Sequence, residues 1–264
     1  MQEYGLAIQQ ELPGVGKNLQ EHAGVWVVNR VKDNVRTLNM DYNLAGGLRH
    51  GLRFLLAGSG PIASPTAQAV AFARSSEAQQ HPDIQIHFTP LGYEVTQSGV
   101  SLLDHPAMLC VANVSNPDSR GEIVLASANA EDLPLIKPRL LDTEADISRL
   151  ISGCKIAQSI LSAPSLARHS VEEMFPGPTI QTEQQWQNLL REAAGPTYHM
   201  VGTCAMGNDA MSVVDSTLRV KGIRHLRVAD ASIMPTITSG NTNAPSMMIG
   251  AQAADFILSA NSQS

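Results

Sequence analysis

Ala107-Met-Leu-Cys-Val-Ala-Asn-Val114 is an unbroken, largely apolar run of strand length. Such a run marks a strand covered on both faces, at the centre of a sheet. Its surroundings supply neighbours. Asp83-Ile-Gln-Ile-His-Phe88 alternates apolar and polar residues, and Gly121-Glu-Ile-Val-Leu-Ala126 does so more loosely. Asn116-Pro-Asp-Ser-Arg-Gly121 carries turn chemistry between the last two runs, and Gly24-Val-Trp-Val-Val-Asn-Arg-Val31 reads as a strand upstream. These segments predict a mainly antiparallel sheet.

Helices flank it. Residues 44–57 can form one, closed by Gly58-Ser-Gly-Pro61. A second keeps Ile147, Leu150, Ile151, Cys154, Ala157, Ile160 and Leu161 at helical spacing, with Asp142 or Thr143 to cap its start and Pro164 beyond its end. Others are expected at about 182–193 and from Pro245 to Leu258, the last after a short strand at His225–Ala229. The fold class is therefore α+β, an antiparallel sheet flanked by helices.

Composition narrows the function. The 264 residues are 43% hydrophobic and 16% charged, which suits a globular chain able to bury a full core. The net charge of -6 and the lack of any Lys/Arg cluster argue against nucleic acid as a partner. No apolar run reaches the roughly 18 residues of a membrane span. Cys110, Cys154 and Cys204 are odd in number and widely spaced, so they read as small buried hydrophobes. The N-terminus lacks the basic and apolar regions of a signal peptide, which makes a reducing, cytoplasmic setting the expectation.

Chemistry concentrates late in the chain. Gly195-Pro-Thr-Tyr-His-Met-Val-Gly-Thr-Cys-Ala-Met-Gly207 places His199 in a small-residue loop, and histidine is the side chain best suited to proton transfer near neutral pH. Gly195, Gly202 and Gly207 leave room for a ligand to approach the backbone. Gly240-Asn-Thr-Asn-Ala-Pro245 precedes the terminal helix and reads either as its cap or as an anion site at its N-terminus. Rival chemistries lack support. His81 and His87 near Asp83 have no third ligand at metal spacing, no G-x-S-x-G elbow presents a serine, and Gly14-Val-Gly16 lacks a preceding strand and a third glycine.

Several stretches, taken in order, resemble the C-terminal half of a glucose–methanol–choline (GMC) flavoprotein oxidoreductase. They are Leu12-Pro-Gly-Val-Gly-Lys-Asn-Leu-Gln-Glu-His22, Asn116–Gly121, Tyr198–Gly207, Val213-Val-Asp215, Leu226-Arg-Val-Ala-Asp-Ala-Ser-Ile-Met-Pro235 and Gly240–Pro245. The resemblance implies FAD as cofactor and an alcohol as small-molecule substrate. His199 matches the family's catalytic histidine, which takes the hydroxyl proton while hydride leaves the carbon for the flavin. Asn241 matches a position that hydrogen-bonds the alcohol or alkoxide. Asp230 and Ala231 match contacts to the ribityl–pyrophosphate region, and Tyr198, Asn241 and Thr242 match positions close to the isoalloxazine. The terminal helix would aim its N-terminus at the flavin.

Two positions depart from the family pattern: Met200 stands for a common proline and Ala205 for a common arginine. A strand–G-x-G-x-x-G–helix unit, which in the family holds the FAD pyrophosphate, is missing from the sequence. The expected organisation is 1–24 as a remnant of an FAD-binding domain, 25–194 as the substrate-binding domain, and 195–264 as the catalytic loop and returning FAD-domain segment. This leaves room for an N-terminal FAD-binding half on another chain, and predicts that the chain alone binds FAD weakly or not at all. A non-catalytic remnant and a lyase acting on cyanohydrins are the alternative functions.

Overall fold

The computed structural model describes residues 4–96 and 99–261. The N-terminal reading that starts at Met1 therefore has its first three residues outside the described range. In chain order the elements are β1 (Ala23–Val31), α1 (Leu38–Asp41), α2 (Leu44–Ala57), β2 (Ala69–Ala73), β3 (Ile84–Thr89), β4 (Tyr93–Thr96), β5 (Gly99–Leu102), β6 (Ala107–Val114), β7 (Glu122–Val124), β8 (Leu135–Lys137), α3 (Glu144–Leu161), α4 (Pro164–Ala167), β9 (Ser170–Phe175), α5 (Glu183–Ala193) and α6 (Asn243–Asn261). Contacts divide the chain into two units. One takes Gly24–Val114 and Ile147–Ala194; the other takes the chain up to Ala23, then Ser115–Asp146, then the chain from Gly195 onward. The segment 115–146 thus belongs with the two ends of the chain.

The Gly24–Val114 unit is built on the antiparallel sheet. β6 lies between β1 and β3, with Cys110 opposite Val27 on one side and Phe88 on the other. β2 pairs with β3, and β9 pairs with β1, both antiparallel. Its central place between two neighbours and the burial of its side chains on both faces account for the unbroken apolar run of β6. Cys110 is fully buried, and burial pushes its thiol up to about 12. α3 covers one face of the sheet. Leu150, Ile151, Cys154, Ala157 and Leu161 are buried, and Gly153 lets the helix approach Ile84 and Ala112. Each buried Leu or Ile contributes roughly 1.5–3 kcal/mol. Trp26, Tyr93 and Phe175 gather around Val28, Ala107 and Leu109.

Helix ends follow the capping rules. Asn43 accepts the Gly46 amide at the start of α2, and Gly58 closes it in the left-handed region. Thr182 and Gln185 form a reciprocal capping box on α5. α2 turns Leu44, Leu48, Leu52, Leu55 and Leu56 outward, each well exposed. Arg36, Arg49 and His50 converge on the Asp41 carboxylate, with Arg36 the main cause of its depressed pKa.

The second unit has little regular structure. Its core is Val201, Val213, Val214, Leu218, Val220, Ile233, Met234, Ile237, Ile249 and Ala253. The motif Asn116–Gly121 wraps a buried acid: Asp146 accepts the amides of Asp118 and Ser119 and the Ser119 hydroxyl. Burial pushes Asp146 up, but these donors together hold it below its ordinary value. The short strand expected at His225–Ala229 reduces to one bridge, Arg219 with Arg227. Positive φ at Leu218 and His225 reverses the chain at both ends of this hairpin, leaving no length for a ladder. α6 starts at Asn243, two residues before the expected Pro245. Among the described residues, no helix is long and apolar enough to cross a membrane, and no acid, histidine or cysteine cluster could hold a metal ion.

Candidate active site

The organising thread of this unit is the chain from Gly14 to His22. Leu19 exchanges both backbone hydrogen bonds with Gly121, and Gln20 exchanges both with Val201. The glycines are packing devices. A Cβ on Gly14 would fall 1.8 Å from the Met211 carbonyl oxygen, and one on Gly16 would fall 2.2 Å from that of Ile123. The same holds for Gly202, where φ is +96° and a Cβ would meet the Asn18 carbonyl oxygen at 2.3 Å, and for Gly207 against Ser212. The expectation that these loop glycines make room for a ligand is corrected for Gly202 and Gly207. They admit other parts of the same chain.

Side chains of the thread tie down two loops. Gln20 Nε2 donates to the Pro235 carbonyl while its Oε1 accepts the Ile237 amide, and Asn18 Nδ2 donates to Pro235 and Gly202. The buried Glu21 carboxylate accepts the His199 backbone N–H on both oxygens, at 3.0 and 2.8 Å, and the Thr197 hydroxyl at 3.3 Å. Burial raises the Glu21 pKa above its ordinary value, against the lowering effect of those donors. His22 is buried, with Nε2 3.4 Å from the Gly240 carbonyl oxygen and its ring edge-on to His199, centroids 5.3 Å apart.

These anchors bring the expected pair together. His199 and Asn241, 42 positions apart, meet with Asn241 Nδ2 2.9 Å from His199 Nε2. An amide N–H can only donate, so Nε2 is the accepting nitrogen and the neutral ring carries its proton on Nδ1. Nδ1 lies 3.2 Å from Thr197 Oγ1. Asn241 is exposed and His199 half-buried, so the Nε2 edge is reachable. Tyr198, 79% exposed, takes a left-handed φ of +66°, a conformation costing a tyrosine about 1–2 kcal/mol. The bonds on Thr197 and His199 at either side hold it there.

The remaining sequence-derived positions are dispersed. Asp230 caps the short 3₁₀ turn Ala231–Ile233 by accepting the Ser232 amide, and that turn receives the Cys204 and Met206 amides of the His199 loop. Thr242 is buried, and its carbonyl accepts the Ser246 amide and hydroxyl at the start of α6. Glu21, Thr197 and His22 were not singled out from sequence. Gln20-Glu-His22 reads as a polar turn and is buried instead, and the partners of Glu21 at Thr197 and His199 lie 176 to 178 positions away, where no local pattern points to them.

The GMC oxidoreductase family profile matches residues 117–250. This chain belongs to that family. It is 38% identical to alcohol dehydrogenase [acceptor] of Pseudomonas putida, over 98% of this chain and 46% of that protein. It is 34% identical to the oxygen-dependent choline dehydrogenase of Brucella canis, over 98% of this chain and 47% of that one. The chain thus spans about half the length of the curated relatives it matches. Its fold superposes on a formate oxidase structure from Aspergillus oryzae RIB40 with a TM-score of 0.86, at 20% identity, covering 99% of this chain and 50% of that one. A pyridoxine 4-oxidase gives 0.77 at 23% identity, over 96% of this chain and 45% of that chain.

Proposed function

We propose that this chain is the substrate-side, catalytic part of an FAD-dependent alcohol oxidoreductase in which His199 is the proton acceptor. The observation that carries the reading is the His199–Asn241 pair, with an unprotonated Nε2 beside an amide donor. An alcohol hydroxyl that displaces this direct contact donates to Nε2 and accepts from Asn241 Nδ2–H. As its C–H bond breaks, the oxygen loses its proton to Nε2 and the carboxamide holds the carbonyl that forms. General-base help of this kind contributes about 10²–10⁴-fold.

The donors present suit a flavin. α6 has no acidic residue in its first turn, so its N-terminal amides and partial positive charge favour an electron-rich ring edge. Asp230 is exposed and commits one oxygen to Ser232, leaving acceptor capacity for hydroxyl groups. Tyr198, Asn241, the backbone at Thr242, Asp230 and Ala231 would hold the cofactor, which when bound supplies the two-electron acceptor for the carbinol hydride. In this reading the remaining cofactor contacts come from protein outside this chain, on the same polypeptide or a separate one. The three free cysteines accord with a cytoplasmic setting.

The experiment is anaerobic flavin bleaching by a primary alcohol, followed in the flavin-loaded protein that carries this chain. His199→Asn should slow reduction by about 10²–10⁴-fold with flavin still bound. An unchanged rate would remove His199 from the chemistry. Release of cyanide from a cyanohydrin without bleaching would replace oxidation by lyase chemistry.

A further inference from the structure

A proton acceptor must present a lone pair, and for a neutral imidazole that depends on which nitrogen keeps the hydrogen. Asn241 constrains one side of the His199 ring. On the other, Thr197 Oγ1 faces Nδ1 at 3.2 Å, and the same oxygen lies 3.3 Å from Glu21 Oε1 and 3.1 Å from the His22 carbonyl oxygen. Both of those partners are acceptors. A threonine hydroxyl has one hydrogen, which it must spend on Glu21 or His22, so toward His199 it can only accept. The polarity of the chain is therefore set from its buried end.

We infer that Glu21 and Thr197 are positioning residues that lock His199 in its Nδ1–H tautomer. Glu21 acts twice: through the Thr197 hydroxyl, and by clamping the His199 backbone N–H with both oxygens beside the left-handed Tyr198. Its burial and its distance of 178 positions in the chain make it a fixed reference for the loop. When Nε2 gains a proton, Nδ1–H already has its acceptor, so nothing on the Glu21–Thr197 side need turn. The catalytic importance of the lock rests on the function proposed above; the lock itself does not.

The two are tested separately by long-range ¹H–¹⁵N spectra of the uniformly labelled full chain, without flavin or substrate. The His199 signals are assigned by comparison with His199→Asn. In the wild type the neutral ring should show Nδ1 protonated and Nε2 bare. Asn241→Leu removes the donor that faces Nε2 and should keep the Nδ1–H form; adding Thr197→Val, which keeps the shape and removes the accepting oxygen, should convert the single tautomer to a mixture, and Thr197→Ser in its place should restore it. Glu21→Gln in the Asn241→Leu background should produce a mixture too, because an amide can donate to Thr197 Oγ1 and free its hydrogen toward Nδ1. A wild-type ring protonated on Nε2, or a ring carrying both Asn241→Leu and Thr197→Val that keeps the single Nδ1–H form, would overturn the inference. A locked tautomer in a protein whose His199→Asn variant still reduces flavin at full rate would leave the lock standing and sink the proposed chemistry. Backbone amide spectra that match the wild type identify the variants that fold.

Discussion

Two polar clusters in this molecule differ in how they hold the chain. Around Asp41, at the end of α1, charged side chains meet one another: Arg36, Arg49 and His50 converge on one carboxylate, with the two arginines reaching into solvent and Asp41 and His50 mostly covered. Around Glu21, charged and amide side chains meet the backbone instead: Glu21 on His199, Gln20 on Pro235 and Ile237, Asn18 on Gly202 and Pro235. Ion pairs between mobile, hydrated side chains are worth about 0–1 kcal/mol. Buried side chains that satisfy distant backbone groups are different, because removing one strands its partner without water, at about 1–3 kcal/mol. The His199 loop needs the second arrangement. A residue held in a sparsely populated conformation stays there only if its surroundings over-determine it.

The sharpest test of that contrast is Gly202→Ala. Its φ is disfavoured for an L side chain and its Cβ would sit against backbone, so a loss of roughly 3–5 kcal/mol is expected in urea unfolding. A variant as stable as the wild type would show that the Asn18–Gly202 contact is loose. Next comes Gln20→Ala, which leaves the buried Ile237 amide unsatisfied and should cost about 1–3 kcal/mol by the same measurement. Asp41→Asn should cost less than about 1 kcal/mol, and the wild-type contribution should fade in molar salt. If Asp41→Asn proved the costlier of the two, the comparison would fail.

The smallest effect is a slope. Burial raises the Glu21 pKa in the folded chain, so between its ordinary value of 4.5 and the raised value the folded state binds more protons than the unfolded one. Stability from this residue therefore falls as pH rises through that window and is level above it. Glu21→Gln should flatten that part of the stability–pH curve, read from unfolding midpoints at closely spaced pH values. An unchanged curve would mean that Glu21 titrates normally.

Legibility followed the same divide. The sheet and helices of the Gly24–Val114 unit are periodic, so β6, α2, α3 and α5 could be read from spacing and caps alone. The edge strands β2 and β9 were missed, since Ala69–Ala73 and Ser170–Phe175 have mostly exposed residues and lack the alternation of a half-buried strand. In the other unit the motif residues were conspicuous and their geometry was not. His199 and Asn241 could be named from the resemblance, whereas Glu21 and Thr197 act through contacts 176 to 178 positions long, which no local pattern encodes. The loop glycines misled for the same reason: a glycine that admits a ligand and one that admits a distant backbone look identical in sequence.

That long reach also orders events in time. During synthesis the hairpins of β3, β4, β5 and β6 can close as they emerge, since their partners are near neighbours in the chain. Glu21 emerges early and must wait for His199, and Gln20 for Ile237, before its partner exists. A nascent chain stalled before residue 199 therefore carries a sheet of its own but an unclaimed polar thread that favours solvent. Quality-control proteases would meet the site's scaffold long before the site, and premature stops or frameshifts late in the gene should yield chains that keep the sheet and lose the thread.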